Sequence, residues 1–284
     1  MSIKSVGVVG AGTMGNGIAQ VCAAAGLDVI MQDIGEEQVE RGLQTIATSF
    51  DRMIKKEKIT EADKSAALEK ISTATTLEGL SNVDIVIEAA TENEALKLGI
   101  FEQLDKLCPA ETILASNTSS ISLTRIAGAT SRADQVIGMH FFNPVPMMAL
   151  VEIIRALQTS DATYQAVHTL SETVGKVPVE AKDSPGFVAN RILIPMINEA
   201  AFVYAEGLAD AAGIDEIMKL GMAHPIGPLA LADLIGLDTC LSVIKVLHDG
   251  FGDPKYRPCP IWQQMVDAGY LGRKTGRGFY VYED

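Results

Sequence analysis

The sequence predicts an α/β domain with a doubly wound, mostly parallel sheet over residues 1–183, followed by an all-α domain over residues 184–284. Two observations lead to this fold class. Before Asp183, short β-branched apolar runs alternate with helix-like segments, a pattern typical of parallel strands covered by helices. After the SPG break at residues 184–186, long apolar stretches with helical spacing follow without alternating strands.

The first domain opens with a strand–helix–strand segment, in which SIKSVGVVG and LDVIMQD have the composition of strands and AGTMGNGIAQVCAAAG that of a helix. The helical periodicity and charge of residues 36–70 predict a helical hairpin, an excursion that projects beyond the sheet. Further strands are predicted at residues 83–89, 112–117, 135–141, 149–155 and 177–183. Helices of the second domain are predicted at residues 186–206, 208–220, 228–249 and 260–268, with a kink at Pro195, which lacks an N–H donor.

The composition argues against several classes of protein. A formal charge of −13 disfavours broad binding to nucleic acid or to an anionic membrane, because both partners would be repelled. No charge-free apolar run reaches about 18 residues, so neither membrane spanning nor secretion is supported. The cysteines lie far apart without a CxxC pair, which predicts no metal site, no disulfide scaffold and a reducing cytoplasm; they are Cys22, Cys108, Cys240 and Cys259.

The glycine-rich segment that follows the first strand predicts a dinucleotide site. It fits GxGxxG and comprises Gly10, Ala11, Gly12, Thr13, Met14 and Gly15. Such a match alone can be a merely glycine-rich turn, but here a strand precedes it, a helix follows, and Asp33 ends the next strand, where a carboxylate can bind the adenosine ribose. This context predicts a Rossmann-type domain. Asp33 would repel a 2′-phosphate and has no arginine beside it, so NAD is expected over NADP.

A histidine and a glutamate stand among apolar residues in GMHFFNPVPMMALVEII. A lone histidine there is more often a core residue, and Glu152 could simply pair with Arg155. However, His140 ends a predicted strand, where open α/β sheets bind ligands, and the prolines that follow can bring Glu152 back beside it. Such a pair suits proton transfer from an alcohol whose hydride passes to a nicotinamide.

Seven segments in order resemble the 3-hydroxyacyl-CoA dehydrogenases, and most closely the stand-alone bacterial 3-hydroxybutyryl-CoA dehydrogenases, over essentially the whole chain. They are VGVVGAGTMGNGIAQ, DIVIEAATEN, ILASNTSSISLT, IGMHFFNPVPMMALVEII, KDSPGFVANRILIPMINEA, KLGMAHPIGPLALADLIGLD and LGRKTGRGFYVY. The resemblance implies oxidation of a 3-hydroxyacyl thioester of coenzyme A to the 3-ketoacyl thioester by NAD, or the reverse reaction. Acyl-chain length, direction and pathway stay open.

The resemblance also implies roles for individual residues. His140 corresponds to the catalytic base, Glu152 to its electrostatic partner, and Ser119 to the serine near the substrate oxygen and the nicotinamide. Asn143 corresponds to a contact on the nicotinamide side, and Asn190 to an active-site contact from the second domain. From the residues alone, Ser119 could equally cap a strand end, and the asparagines could satisfy backbone groups.

Further contacts implied by the resemblance involve charged residues. Glu92, Lys97 and Lys274 correspond to cofactor contacts, although bare sequence favours solvated surface charges at all three positions. The segment SFDRMIKKEK gathers positive charge in an otherwise acidic chain. Coenzyme A contacts are therefore expected there, at Ser49 and Lys56 by resemblance and at Arg52 because it lies one helical turn from Lys56; a solvated helix end is the alternative.

The sequence departs from the family pattern at two positions. Ala149 stands where lysine is frequent in the family, and TEN replaces a segment in which valine often precedes the glutamate.

The chain could be a dinucleotide-binding protein without catalysis, or a dehydrogenase of a free β-hydroxyacid, although such enzymes more often rely on a catalytic lysine. The Ile-, Leu-, Met- and Ala-rich second domain is expected to bind substrate and to form a homodimer, because its apolar faces can be covered by a twin chain.

Overall fold

The computed structural model describes residues 3–282, and the chain divides into two compact units between Asp183 and Ser184. Among these residues, eight strands form one sheet in the first unit: β1 (Ser5–Val9), β2 (Asp28–Gln32), β3 (Ile71–Ala74), β4 (Ile85–Glu88), β5 (Ile113–Ser116), β6 (Val136–Phe141), β7 (Leu150–Arg155) and β8 (Val177–Lys182).

The strand order is β3-β2-β1-β4-β5-β6-β7-β8, so the chain starts near the centre of the sheet and winds outward in both directions. Every neighbouring pair is parallel except β6 and β7, which are antiparallel. The doubly wound, mostly parallel prediction is confirmed. In such sheets ligands bind beyond the carboxyl ends of the strands, where the chain reverses its winding direction.

Helices cover the sheet of the first unit: α1 (Thr13–Ala24), α2 (Glu36–Lys55), α3 (Glu61–Glu69), α4 (Glu94–Leu107), α5 (Leu123–Gly128) and α6 (Asp161–Thr173). The predicted helical hairpin is α2 followed by α3, which starts with a capping box between Thr60 and Asp63. On α2, Val39, Ile46 and Phe50 recur at helical spacing and are buried in the core shared with the sheet. The hairpin is therefore anchored by its apolar face.

The short strand β3 was not predicted. It has only four residues, ISTA, lies at one edge of the sheet, and pairs on one side with β2. Its two central residues, Ser72 and Thr73, are exposed. An edge strand this short and polar lacks the apolar run that identifies buried strands in a sequence.

The second unit is helical: α7 (Ala189–Ala205), α8 (Ala211–Glu216), α9 (Pro228–Ile235), α10 (Leu237–Phe251) and α11 (Pro260–Asp267). The single helix predicted over residues 228–249 is wrong, because Gly236 has φ 104° and separates α9 from α10. After α8 the chain continues as a π-helical turn over Ile217–Gly221. Helix α7 continues through Pro195.

Two buried carboxylates fasten the last residues of the second unit. Asp233 accepts hydrogen bonds from the backbone amides of Phe279 and Tyr280, at 2.9 and 3.0 Å. Asp215 accepts from two backbone amides in the first turn of α9 and from the hydroxyl of Tyr280, at 2.7–2.8 Å. The C-terminal segment is thus held to α8 and α9 by charge-assisted hydrogen bonds.

The four cysteines are free and buried. Burial raises the pKa of Cys22 and of Cys240 to about 12, so both are neutral thiols near pH 7. Within residues 3–282, no helix is both long enough and apolar enough to cross a bilayer.

Candidate active site

The glycine-rich turn joins β1 to α1 and has the geometry of a phosphate site. Gly10 has φ +95°, a conformation that L side chains rarely adopt, and a Cβ on Gly15 would lie 1.7 Å from the carbonyl oxygen of Gly10. A Cβ on Gly12 would meet no atom within 4 Å, so this glycine faces open space. Helix α1 begins without a side-chain cap or an acidic residue in its first turn. Its N-terminus therefore fits a pyrophosphate group.

The other residues of the turn connect it to the following strand. Ala11 donates its backbone N–H to Oδ2 of Asp33 at 2.7 Å, and Ile34 donates to Oδ1 at 2.7 Å. Each carboxylate oxygen keeps a further lone pair, so Asp33 can also accept ribose hydroxyls. Thr13 is exposed at the start of α1, whereas Met14 packs partly against the core. These positions fit a dinucleotide that crosses the carboxyl ends of β1 and β2.

His140 and Glu152 lie opposite each other on the antiparallel strands β6 and β7. The distance from His140 Nδ1 to Glu152 Oε2 is 2.7 Å, and the two residues are 7% and 3% exposed. Because an ionised carboxylate can only accept, Nδ1 carries the proton and Nε2 is left as the acceptor of the neutral ring. Arg155, the alternative partner for Glu152, pairs instead with Asp161 at 2.6 Å and Glu180 at 3.7 Å.

Ser119 lies in the turn after β5, and Glu92 organises this turn. A single oxygen of Glu92 accepts from the backbone N–H of Ser119 at 3.1 Å, from the Ser120 hydroxyl at 2.8 Å, and from the Thr118 hydroxyl. Glu92 itself follows β4, so the two turns meet at the carboxyl ends of neighbouring parallel strands. The structure therefore brings Ser119 and Glu92 together.

A buried ion pair lies beneath this turn. Lys97, 1% exposed, contacts Glu88 Oε1 at 2.5 Å and Glu92 Oε2 at 3.4 Å through its ammonium group. Glu88 is fully buried and accepts from the Ser116 hydroxyl at 2.7 Å through its other oxygen. Lys97 is thus an interior cation rather than a solvated surface charge, and its contact with Glu92 links it to the turn that follows β4.

Two polar residues at the carboxyl ends of these strands were not predicted from the sequence. Glu88 closes a buried strand, and Asn117 accepts the backbone N–H of Phe141 at 2.9 Å, which links the turn after β5 to the end of β6. The available signal was the polar residue that follows each apolar run in DIVIEAA and ILASN.

A cleft of about 750 Å³ opens in the first unit between α1, α2 and the loop at residues 143–146. Its wall on α2 includes Ser49 and Arg52, and Asn143 and Thr13 also line it. Lys56 is exposed, follows the last residue of α2, and is not among the residues that line this cleft. The structure therefore places two of the three expected coenzyme A contacts at the cleft.

Asn190 and Lys274 belong to the second unit. Asn190 lies in the first turn of α7 and is half-buried. Lys274 contacts both carboxylate oxygens of Asp238, at 2.5 and 2.7 Å. Burial raises the pKa of Asp238, but the hydrogen bonds from Lys274 and from the backbone outweigh it and hold this pKa below its usual value. The proposed roles of Asn190 and Lys274 toward substrate and cofactor stay predictions.

A doubly wound sheet, a glycine-rich turn at the start of α1 and an acidic residue at the end of β2 together are typical of a dinucleotide-dependent oxidoreductase. Two family models match the chain: "3-hydroxyacyl-CoA dehydrogenase, NAD binding domain" over residues 5–184, and the C-terminal domain of the same family over residues 186–282. The chain belongs to the 3-hydroxyacyl-CoA dehydrogenase family. The predicted family, enzyme class and cofactor NAD are confirmed.

Curated relatives and a solved structure are similar along the whole chain. A probable 3-hydroxybutyryl-CoA dehydrogenase of Bacillus subtilis (strain 168) is 55% identical over 100% of this chain and 99% of the relative. A 3-hydroxybutyryl-CoA dehydrogenase of Bradyrhizobium diazoefficiens is 51% identical over 99% of this chain and 96% of the relative. The crystal structure of (S)-3-hydroxybutyryl-CoA dehydrogenase PaaH1 from Ralstonia eutropha is 62% identical, with TM-score 0.97 and full coverage of both chains.

Proposed function

We propose that the protein transfers hydride reversibly between (S)-3-hydroxybutyryl-CoA and NAD, with acetoacetyl-CoA as the oxidised product. The names of the relatives support the substrate, and their similarity extends along the whole chain. The observation that carries the chemistry is the distance of 2.7 Å between His140 Nδ1 and Glu152 Oε2 at the end of β6.

The His140–Glu152 pair would serve as the general base for oxidation and the general acid for reduction. Glu152 keeps the proton of the neutral ring on Nδ1, so Nε2 accepts the proton of the substrate hydroxyl as the carbonyl forms. The carboxylate then stabilises the resulting imidazolium, which is buried with it. Bound NAD supplies the acceptor for the hydride that leaves C3 of the substrate. In the reverse direction His140 returns the proton to the oxygen.

The remaining residues would position the reactants. Ser119 would hold the substrate oxygen, and Asn190 would contact the substrate from the second unit. Asn143 would contact the nicotinamide side of the cofactor. Glu92 would orient both the cofactor and the Ser119 turn, because it already accepts the Ser119 N–H. Lys97 would act through Glu92, and Lys274 would contact the cofactor from the tail.

Coenzyme A would bind along α2. Ser49 and Arg52 line the cleft, and Lys56 follows one turn beyond Arg52, so two cations could meet the phosphates of an anionic substrate. This local positive charge offsets the acidic balance of the whole chain. Charge reversal at Arg52 should therefore raise the KM for the thioester while leaving NADH binding unchanged.

A homodimer through the second unit and a cytoplasmic location complete the proposal. Large apolar side chains are exposed on the second unit, among them Ile192 at 68% and Leu220 at 81%, and a second copy could cover them. Sedimentation at several protein concentrations measures the oligomeric state directly. A monomer at micromolar concentration would contradict the homodimer.

The test of the function is NADH oxidation with acetoacetyl-CoA, comparing wild type with His140→Gln. Removing general acid–base catalysis should lower kcat by about 10²- to 10⁴-fold. The matched control is His168→Gln, because His168 forms a second histidine–glutamate contact among the described residues of the first unit, 3.5 Å from Glu172 on α6. We expect His168→Gln to turn over normally.

Four outcomes would contradict the proposal. Equal rates for wild type and His140→Gln would exclude the imidazole as the proton carrier. NADH binding without turnover of any thioester would indicate a dinucleotide-binding protein without catalysis. Faster turnover of free acetoacetate than of its thioester would indicate a dehydrogenase of β-hydroxyacids, and a preference for NADPH would contradict the role of Asp33.

A further inference from the structure

Lys176 is a buried cation that the proposed chemistry does not use. It lies just before β8 and is 8% exposed. Its ammonium group donates to the carbonyl oxygens of Val145 and Met148, at 2.6 and 2.8 Å. Among the described residues no carboxylate lies within salt-bridge distance of it. A buried ammonium without an anionic partner is costly, so its two carbonyl contacts need an explanation.

The two carbonyls belong to the loop that connects β6 to β7, here called the 142–149 loop. Within it, the backbone amides of Met147 and Met148 both donate to the carbonyl oxygen of Pro144, at 2.9 and 3.0 Å. The side chain of Val145 is buried against α1, where a Cβ on Gly17 would lie 2.8 Å from it. Lys176 and α1 therefore hold the loop through different atoms.

This loop carries residues of the candidate site. Asn143 and Pro144 line the cleft beside α1 and α2. The loop also joins the strand of His140 to the strand of Glu152. Any displacement of Val145 would move Asn143, which is only two residues away.

We propose that Lys176 is a positioning residue for the reaction: its ammonium group fixes the carbonyls of Val145 and Met148, and so sets where Asn143 meets the nicotinamide cofactor. The neighbouring thiol of Cys22 supplies no anion, because burial raises its pKa to about 12. The ammonium therefore binds neutral dipoles only, and its contribution is the geometry of the loop. This inference rests on the proposed function for the role of Asn143.

The test compares Lys176→Met with a matched control, Arg132→Met. Methionine keeps the length of the lysine side chain and removes its donors. Arg132 is also a buried cation that donates to backbone carbonyls, those of Asp105 and Cys108 at 2.6 and 3.0 Å. It precedes β6, however, whereas the 142–149 loop follows the opposite end of this strand. Both variants lose a buried cation, but only Lys176 contacts the loop, whereas Arg132 also pairs with the Asp105 carboxylate at 2.8 Å.

Three measurements are made on each full-length variant: hydrogen exchange of the peptide spanning residues 142–149, NADH affinity by fluorescence, and kcat and KM with acetoacetyl-CoA. For Lys176→Met we expect faster exchange in this peptide, weaker NADH binding, and a kcat/KM lowered by about 10- to 10²-fold, the scale of a misplacement of about 1 Å. For Arg132→Met we expect the hydrogen-exchange rate of the loop and the NADH affinity to equal those of wild type.

Two results would overturn the proposal. One is unchanged exchange of the loop in Lys176→Met, and the other is faster exchange with NADH affinity and kcat/KM of wild type, which would make Lys176 a purely structural clamp. If Lys176→Met does not fold, Lys176→Gln keeps an N–H donor at shorter reach and should give intermediate values of the same quantities. If wild type binds NADH without reducing acetoacetyl-CoA, the proposed function fails while exchange and NADH affinity still test Lys176.

Discussion

Buried polar side chains serve different ends in the two units. In the first unit, buried charged and polar side chains near the strand ends pair with one another, Lys97 with Glu88 and His140 with Glu152. In the second unit, Asp215 and similar side chains bond mainly to backbone amides and fasten one segment to another. Buried charge is expensive in both places. The difference supports our proposal that the first arrangement serves a ligand, whereas the second holds the fold together.

The largest expected effect comes from Lys97→Met. Removing one partner of a buried ion pair leaves Glu88 uncompensated, so we expect a loss of about 3–5 kcal/mol in the free energy of unfolding. Because Lys97 also contacts Glu92, NADH affinity should fall as well. Denaturant unfolding and NADH titration measure the two quantities.

The control for Lys97→Met is Lys64→Met, which breaks a partly exposed pair with Asp51 and should change the stability little, because solvent screens such a pair. The double variant Glu88→Gln/Lys97→Met removes both charges and should recover part of the stability. Full stability and normal NADH affinity in Lys97→Met would mean that this ion pair does not organise the site.

A smaller effect, confined to stability, is expected for Asp215→Asn. Asparagine keeps one acceptor oxygen, and its amide would face a backbone N–H, so the change should cost about 2–3 kcal/mol and lower the thermal midpoint by roughly 10 °C. Asp210→Asn is the control, because Asp210 caps α8 at an exposed position where asparagine caps equally well. A change in NADH affinity in Asp215→Asn would contradict the division between the two kinds of buried polar group.

The smallest expected effect concerns Asp84, which precedes β4, and its contribution to stability at acid pH. Burial raises the pKa of Asp84, but hydrogen bonds from Lys4 N–H and from the N–H and hydroxyl of Ser5 outweigh it, so this pKa lies below its usual value of 3.8. Because the folded-state pKa is the lower one, this stabilisation is complete above about pH 4 and is lost as the pH falls further.

The stability difference between wild type and Asp84→Asn should accordingly be largest near neutral pH and should shrink below about pH 4, as measured by thermal unfolding across this range. NADH affinity near pH 7 should not change, since Asp84 precedes β4 and lies away from the carboxyl ends of the strands. A difference independent of pH would mean that the ionised form of Asp84 adds nothing to stability.

Local sequence patterns predicted most of the fold, because strands β1, β2 and β4 to β7 are largely apolar and the helices have apolar spacing. The pattern failed where a backbone conformation decides the structure. The φ of 104° at Gly236 divides a helix although the apolar spacing continues across it. Strand β3 is formed by its pairing with β2, and a short polar segment carries no sequence pattern from which this pairing could be predicted.

The candidate site was predictable to the extent that it follows strand ends. His140 and Glu152 could be suspected as partners because prolines return the chain, and the structure places them opposite each other. The partnership of Lys97 with Glu88 joins residues on a helix and a strand, and its burial is a property of packing. A single sequence therefore indicated a charge at position 97 but not that the charge is interior.

The cross-strand position of His140 and Glu152 has a consequence for how the protein would lose activity. Their alignment is set by the ladder of main-chain bonds between β6 and β7, in which successive side chains alternate between the two faces of the sheet. A shift of one residue would bring Ile153 opposite the imidazole and turn the carboxylate to the other side. Because a change of register requires the ladder to open, we expect the alignment of the two groups to persist in heat or denaturant until β6 and β7 separate.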